Sequence, residues 1–585
     1  MQNFHFQKFA KSVALLAGIA LTQAVATAQS LPIVVDGLFD EWQGAAVLSD
    51  PSGDGSNLDF LSFEVSNDDE FLFIKFKLSQ EIALTSGNAI ALFLDTDMNA
   101  LTGNSFNGLG AEAVIYIGQR EASVYTGSFP IMTSLNDLKW RHLPTVTSQE
   151  FEIAIGRNTK PGGTNILFSG PAIRLAFQDG SAPDGDMMPD EGQVFTYDFD
   201  ETPVAEPTTV GFEKSNSLDF RLMTYNTLQN GLDDFERVDN FQRVVHAALP
   251  DVVTFNECWD VTEGMAATFM NSAIPLPNFN NWNAVKVDYG NITVSRFPIL
   301  QSWEVEPGVR LTASLIDLPA EYATDILVIN GHLKCCDADN TRQKEVDALV
   351  RFLLDAKTPG GVIDLPENTP FVLSGDLNLV GEKQQLTTLL TGQIVNAGLY
   401  GPGGPPDWDD TPLEDVIAPQ SDLRMAYTWK DDWSSYPPSR IDYHIFSNSA
   451  MSVSKSFTIQ TEVMPPERLA LYGLHQDDTG PASDHFPKVT DFVIPVLTEA
   501  AENLPDGMDF ALSPNPLISQ LRIRPLQGLM DEWEVSVFNI SGQLMHRCNS
   551  TAKEVAFETA GWPSGIYFIK ILVGVKVLTK MVVKQ

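Results

Sequence analysis

The chain has 585 residues, with 37 Lys+Arg against 76 Asp+Glu and a formal net charge of −39. With 43% hydrophobic and 19% charged residues it holds enough apolar material for several packed cores, which excludes a wholly disordered, collagenous or polytopic membrane chain. Four cysteines exclude a disulfide-built mini-scaffold, and the acidity speaks against a protein that coats nucleic acid.

Residues 1–28 read as a secretory signal peptide. Lys8 and Lys11 supply the positive region, Val13 to Leu21 the apolar stretch, and Ala26-Thr27-Ala28 the small residues before a cleavage ahead of Gln29. The apolar run is shorter than the roughly 20 residues of a bilayer span, so a cleaved signal is expected rather than an anchor. Residues 203–217 and 496–506 read as linkers, leaving 29–202, 218–495 and 507–585 as domains. Acidic residues outnumber basic ones 26 to 8 in 29–205 and 44 to 19 in 206–506, whereas 507–585 has 8 basic and 6 acidic. The acidity therefore belongs to the first two regions.

The first region is strand-rich. Ile74, Phe76 and Leu78 alternate with Lys75 and Lys77, as a half-buried strand requires, and Ala89 to Leu94 and Ala113 to Ile117 are further short β-type runs. A β-sandwich is expected. The segment Ile33-Val34-Val35-Asp36-Gly37 with Asp40-Glu41-Trp42 resembles the opening of family 9 carbohydrate-binding modules, which implies a glycan as a candidate partner. Asp95, Asp97 and Asn99 place oxygen side chains at alternate positions, a spacing with which a turning loop wraps Ca²⁺; the competing reading is a polar turn.

The middle region alternates strands and helices. Short buried-strand candidates start at Leu222, Val252, Ile326 and Phe371. Val346, Leu349, Val350, Leu353 and Leu354 share one helical face, with Asn340 and Gln343 as a candidate capping pair, and Phe235, Val238, Val245 and Leu249 suggest an earlier helix. Chemistry gathers where strands end: Asn226 after Tyr225, Glu257 after Asn256, His332 in Asn-Gly-His-Leu, Asp376 and Asn378 in Ser-Gly-Asp-Leu-Asn. Asp442 in Ser-Arg-Ile-Asp-Tyr and Asp484-His485 in Ser-Asp-His-Phe-Pro follow. One such ending is usually a turn or cap; six in sequence are not explained by packing.

These blocks, in this order, are similar to the endonuclease/exonuclease/phosphatase superfamily, with Asn256 where the family usually has Gln. The resemblance implies a four-layer α/β sandwich and a hydrolase for phosphate esters. It implies that Glu257 binds Mg²⁺ (or Mn²⁺) with Asn226 and Asp484, and that Asp376, beside Asn378, orients or deprotonates the attacking water. Asp442 would hold His485 against the phosphate, and His332 would donate to a phosphate oxygen or the leaving group. Arg310, Arg342 and Arg440 are candidate substrate-binding residues. If the strand ends meet, a bridge from Cys258 to Cys335 or Cys336 would brace the rim.

The acidity of this region offers no broad footprint for long DNA or RNA, so a headgroup, nucleotide or other short phosphate ester is favoured over nucleic acid. An extracellular nuclease is the first alternative, and a non-enzymatic surface or carbohydrate-binding protein with a relic catalytic domain the second. The last region, with Ser513-Pro514-Asn515-Pro516, Val537-Phe538-Asn539-Ile540-Ser541-Gly542 and Ser564-Gly565-Ile566-Tyr567-Phe568, resembles type A C-terminal sorting domains of the type IX secretion system. That implies a small β-sandwich, the type IX machinery as partner, and release or surface attachment outside the cell. The expected whole is a multidomain monomer: N-terminal β-sandwich, central α/β sandwich, small C-terminal β-sandwich.

Overall fold

The computed structural model describes residues 24–25 and 30–585, apart from 128, 164, 182–184, 205–208, 498–509, 527–532, 540–543 and 574–575. The expected signal cleavage site and most of the second linker lie outside the described residues.

The front region folds as two facing β-sheets. One orders Arg141–Leu143, Ser148–Gly156, Phe71–Ile82, Phe60–Asn67 and Ala46–Ser49; the other is an eight-stranded sheet with Ala172–Asp179 and Ile90–Asp95 near its centre. The period-2 pattern works as expected: Ile74, Phe76 and Leu78 are buried, whereas Lys75 turns outward to pair with Glu64 at 2.8 Å. Phe63 and Phe195 meet across the sheets edge to face, with ring centroids 4.8 Å apart.

The central region has four layers. One six-stranded sheet runs Asn283–Val285, Ile292–Ser295, Val252–Asn256, Phe220–Asn226, Lys488–Val493, Ser452–Thr458; the other runs Ile299–Glu304, Leu311–Ile316, Ile326–His332, Phe371–Asp376, Asp442–Phe446, Glu414–Asp415. Helices Val238–Ala248 and Glu263–Ala273 cover the first sheet through Phe241, Val245, Phe269 and Met270. Helix Asp339–Ala356 covers the second through Val346, Leu349 and Leu353. Two local expectations fail. Ala338 begins the Asp339–Ala356 helix with no side-chain cap, because Gln343 instead donates to Asp347 and Thr388. Phe235 precedes its helix and is exposed, since the chain enters that helix only at Val238.

Front and central regions belong to one compact unit and share a core. Leu31, Ile33, Val35, Trp42, Phe71, Phe73 and Leu143 from the front pack with Met425, Ala426, Tyr427 and Phe486 from the centre. Polar ties surround this seam: Arg424 pairs with Asp68 at 2.8 Å, and the Asn136 amide donates to the carbonyls of Asp431 and Ser434. The C-terminal unit, described by itself, is a β-sandwich of a three-stranded and a four-stranded sheet around Leu521, Ile523, Trp533, Val535 and Ile569.

Candidate active site

Strand direction builds the site. Phe220–Asn226 and Val252–Asn256 run parallel, with Asn226 opposite Asn256, so both end at the same edge and Glu257 follows directly. In the facing sheet, His332 lies opposite Asp376 across a parallel pair, and Asp376 opposite Asp442 across an antiparallel one. Two contacts between the sheets fix their relative position: Thr254 Oγ1 to Ser374 Oγ at 2.7 Å, and the Asp376 amide donating to Asn256 Oδ1 at 3.0 Å. Residues far apart in sequence thus share one polar, buried edge. Gly375 is required there, because its φ of +147° and the adjoining Gly331 carbonyl oxygen leave no place for a Cβ.

Asp376 is the hub. Its Oδ2 accepts from Asn226 Nδ2 at 3.0 Å and Asn378 Nδ2 at 3.1 Å, and its Oδ1 from the Asn378 amide at 3.0 Å. Two imidazoles face the same Oδ2: His332 Nε2 at 3.6 Å and His485 Nε2 at 3.7 Å. Asp442 Oδ2 lies 2.9 Å from His485 Nδ1, fixing that ring. Burial disfavours the His485 cation, yet Asp442 and Asp376 outweigh it and hold its pKa up to about 10. Burial and the Asp442 charge push Asp376 up to about 7 against the pull of His485. His332 behaves oppositely: burial, then the Arg310 guanidinium, then His485 keep it well below the usual imidazole range. Arg310 Nη1 lies 3.0 Å from His332 Nδ1 and has only protons to offer, so Nδ1 accepts and Nε2 carries the proton facing Asp376.

The expected metal ligands fall on the neighbouring side. Asn226 Nδ2 also reaches Glu257 Oε1 at 3.3 Å, and Glu257 sits at φ +57°, a conformation that rewards few side chains without a task. Asp484 Oδ2 accepts from Trp429 Nε1 at 2.9 Å, while its Oδ1 is buried with no partner. Trp429 has no signature in sequence, because an indole that orients a carboxylate reads like any core tryptophan.

Other expected residues are corrected. Arg440 is buried and bidentate on Asp415 at 2.8 and 3.0 Å, and Arg342 is fully buried, donating to the carbonyls of Lys334 and Cys336 and to Asp339. Both guanidiniums are spent on the protein and neither is free for substrate. Arg310 differs: it is only half-buried, at the edge of the site, with its guanidinium on His332 Nδ1 and the Leu333 carbonyl. No bridge joins Cys258 to Cys335 or Cys336: Cys258 is buried against Thr227 Oγ1, and the other two are exposed free thiols. In the front domain Asn99 turns back to accept from Leu101, so Asp95 and Asp97 are joined by Glu112 in its place.

Asp376 thus gathers two imidazoles and two asparagine amides at one buried edge, with Glu257 joined to it through the Asn226 amide. Residues 223–485 match the Endonuclease/Exonuclease/phosphatase family, whose members act on phosphoester bonds. Residues 511–585 match the secretion system C-terminal sorting domain, so the chain is exported to a secreted or cell-surface location. No curated protein matches the sequence. Among solved structures, similarity extends to an endonuclease/exonuclease/phosphatase from Beutenbergia cavernae (15% identity, 62% of this chain and 100% of that one, TM-score 0.29). It extends also to beta toxin from Staphylococcus aureus (16%, 46% and 99%, 0.30) and to sphingomyelinase C from Streptomyces griseocarneus (14%, 47% and 99%, 0.28).

Proposed function

We propose that the central domain hydrolyses a small phosphate ester by attack of water, assisted by Mg²⁺ or Mn²⁺. The observation that carries this reading is the convergence of His332, His485, Asn226 and Asn378 on Asp376, inside a buried edge with Asp442 behind it.

The donor chemistry fits a hard divalent cation. Glu257 and Asp376 stand on either side of one Asn226 amide, and Asp484 keeps a buried carboxylate oxygen without a partner. Glu257, Asn226 and Asp484 would hold the ion, which supplies positive charge to a phosphoryl oxygen and to the departing oxygen. The protein groups do the rest. Asp376, held by two asparagine amides, orients the water and takes its proton as the new P–O bond forms and the ester P–O bond breaks. His485, kept cationic by Asp442, stabilises charge on the phosphoryl oxygens. His332 offers its Nε2 proton to a phosphoryl oxygen or to the leaving group.

A headgroup or other short ester is favoured because the region is strongly acidic and Arg342 and Arg440 are committed inside the protein, leaving neither to neutralise a polyanion. One observation favours a nucleotide as the second reading. The Trp259 ring lies 5.7 Å from His332 and 5.3 Å from the exposed ring of Tyr289, a pair suited to stacking on a base. The test is hydrolysis by the mature chain, with Mg²⁺ or with chelator, of sphingomyelin, a mononucleotide ester, a phosphomonoester, RNA and plasmid DNA. Mg²⁺-dependent turnover of a short ester that Asp376→Asn abolishes, with unchanged circular dichroism, is expected. Full turnover by Asp376→Asn or in chelator refutes the mechanism, and preference for plasmid DNA refutes the substrate class.

A further inference from the structure

A second group of carboxylates lies in the front sandwich, far in sequence from the catalytic residues. Asp95 ends the strand Ile90–Asp95, Asp97 follows in the turn, and Glu112 sits between strands Leu109–Ala111 and Ala113–Tyr116. Each offers an oxygen within 4.8 Å of the others.

Proximity of acids alone is common on an acidic surface, but here the oxygens are not all in water. Asp95 is fully buried, and its Oδ1 has no hydrogen-bond partner; Glu112 Oε1 is also buried and partnerless. The remaining oxygens are occupied. Asp95 Oδ2 accepts from the Gly110 amide at 3.4 Å and lies 3.5 Å from Arg174 Nη1, and Glu112 Oε2 accepts from the Thr96 amide at 2.8 Å. Asp97 accepts from the Asn99 amide and the Thr102 hydroxyl. Backbone donors therefore pin Asp95 and Glu112 by one oxygen each and leave the other desolvated, whereas both Asp97 oxygens take donors from its own exposed turn. A buried acceptor left unmatched is unfavourable, and more so when it is charged. Arg174 supplies one positive charge against three negative ones and already gives Nη1 to the Met98 carbonyl.

We infer that Asp95, Asp97 and Glu112 form a Ca²⁺ site in the front sandwich, distinct from the Mg²⁺ chemistry of the central domain. All-oxygen donors on a turn and a neighbouring strand suit the flexible coordination of Ca²⁺ better than the strict octahedron of Mg²⁺. Asp97 and Glu112 also line a cavity of about 950 Å³, which gives an ion a way in from solvent.

The test is calorimetric titration of the chelator-stripped mature chain with Ca²⁺, in a Glu257→Gln background so that the catalytic carboxylate does not contribute. The Ca²⁺ stoichiometry should fall by one on Glu112→Gln, and the rise in Tm that Ca²⁺ produces should shrink with it. Asp97→Asn, at an exposed position where folding is not at risk, should do the same. Absence of Ca²⁺ binding in the Glu257→Gln chain, or a stoichiometry that neither Glu112→Gln nor Asp97→Asn changes, overturns the site. Neither result bears on hydrolysis, which is read separately.

Discussion

The hydroxyl of Thr145, in the front sandwich, accepts the backbone N–H of Arg440 at 3.0 Å, two residues before the aspartate that holds His485. The next residues continue the contact. Val146 joins the core beneath the second central sheet, and the Thr147 amide donates to the Gly381 carbonyl at 3.0 Å, five residues after Asp376. The front domain thus touches the chain leading into Asp442 and the chain leaving Asp376.

Removing that support should be felt as lost stability. Thr145→Val leaves the Arg440 N–H without its acceptor and should cost about 1–3 kcal/mol, seen as a fall in Tm. Residues 206–495 expressed alone would expose Met425, Tyr427 and Phe486, each buried at the seam, and should be insoluble or inactive. A soluble, fully active 206–495 fragment would show the seam to be dispensable.

Arg310 should act through His332. Arg310→Ala removes the donor at Nδ1 and the nearby positive charge, so the His332 pKa should rise in an NMR titration. Turnover should drop about a hundredfold as the Nε2 proton is no longer assured. Arg310→Lys should restore part of both. A rate loss with no movement of the His332 titration would assign Arg310 a structural role only.

The seam also carries a pH signature. Burial raises the Glu152 pKa from 4.5 to about 8, against the pull of the Gly37 amide and the Trp42 indole. Between those values the native carboxyl keeps a proton that the unfolded chain has released. The contribution of this group to stability therefore falls as pH rises from about 4.5 to 8, by roughly 1.4 kcal/mol per unit at most. Glu152→Gln should flatten that part of the curve of Tm against pH. An unchanged slope would mean that Glu152 ionises normally.

Thiol labelling separates the cysteines. Burial pushes the Cys258 thiol up to about 12, so it should resist iodoacetamide in the native chain and react only on unfolding. Cys335 and Cys336 are exposed and should label natively. A Cys258 cross-link in non-reducing peptide mapping would contradict the structure.

Much of this was legible in the sequence because parallel strands end together. His332, Asp376 and Asp442 each close or open a short apolar run, so the periodicity that marks the strand also marks the edge where its last residue lies. The sequence misleads at Arg342 and Arg440, because a positive charge beside a motif does not reveal its partner; here internal carbonyls and Asp415 claim them. Glu112 is not legible in the sequence, because spacing shows only neighbours along the chain, whereas Glu112 arrives across a turn. The shared core was invisible for a related reason: Leu31, Ile33 and Val35 look like ordinary strand residues, and nothing in their pattern says that the surface they cover belongs to another domain.

The joint core limits how freely the two domains can be exchanged. A recombination event that exchanged the front sandwich for an unrelated one would strip the cover from Phe486, the immediate neighbour of His485, and leave an oily scar beside the catalytic edge. The two halves therefore depend on each other's surface, and a different front piece could be accommodated only by re-lining that wall of the central domain.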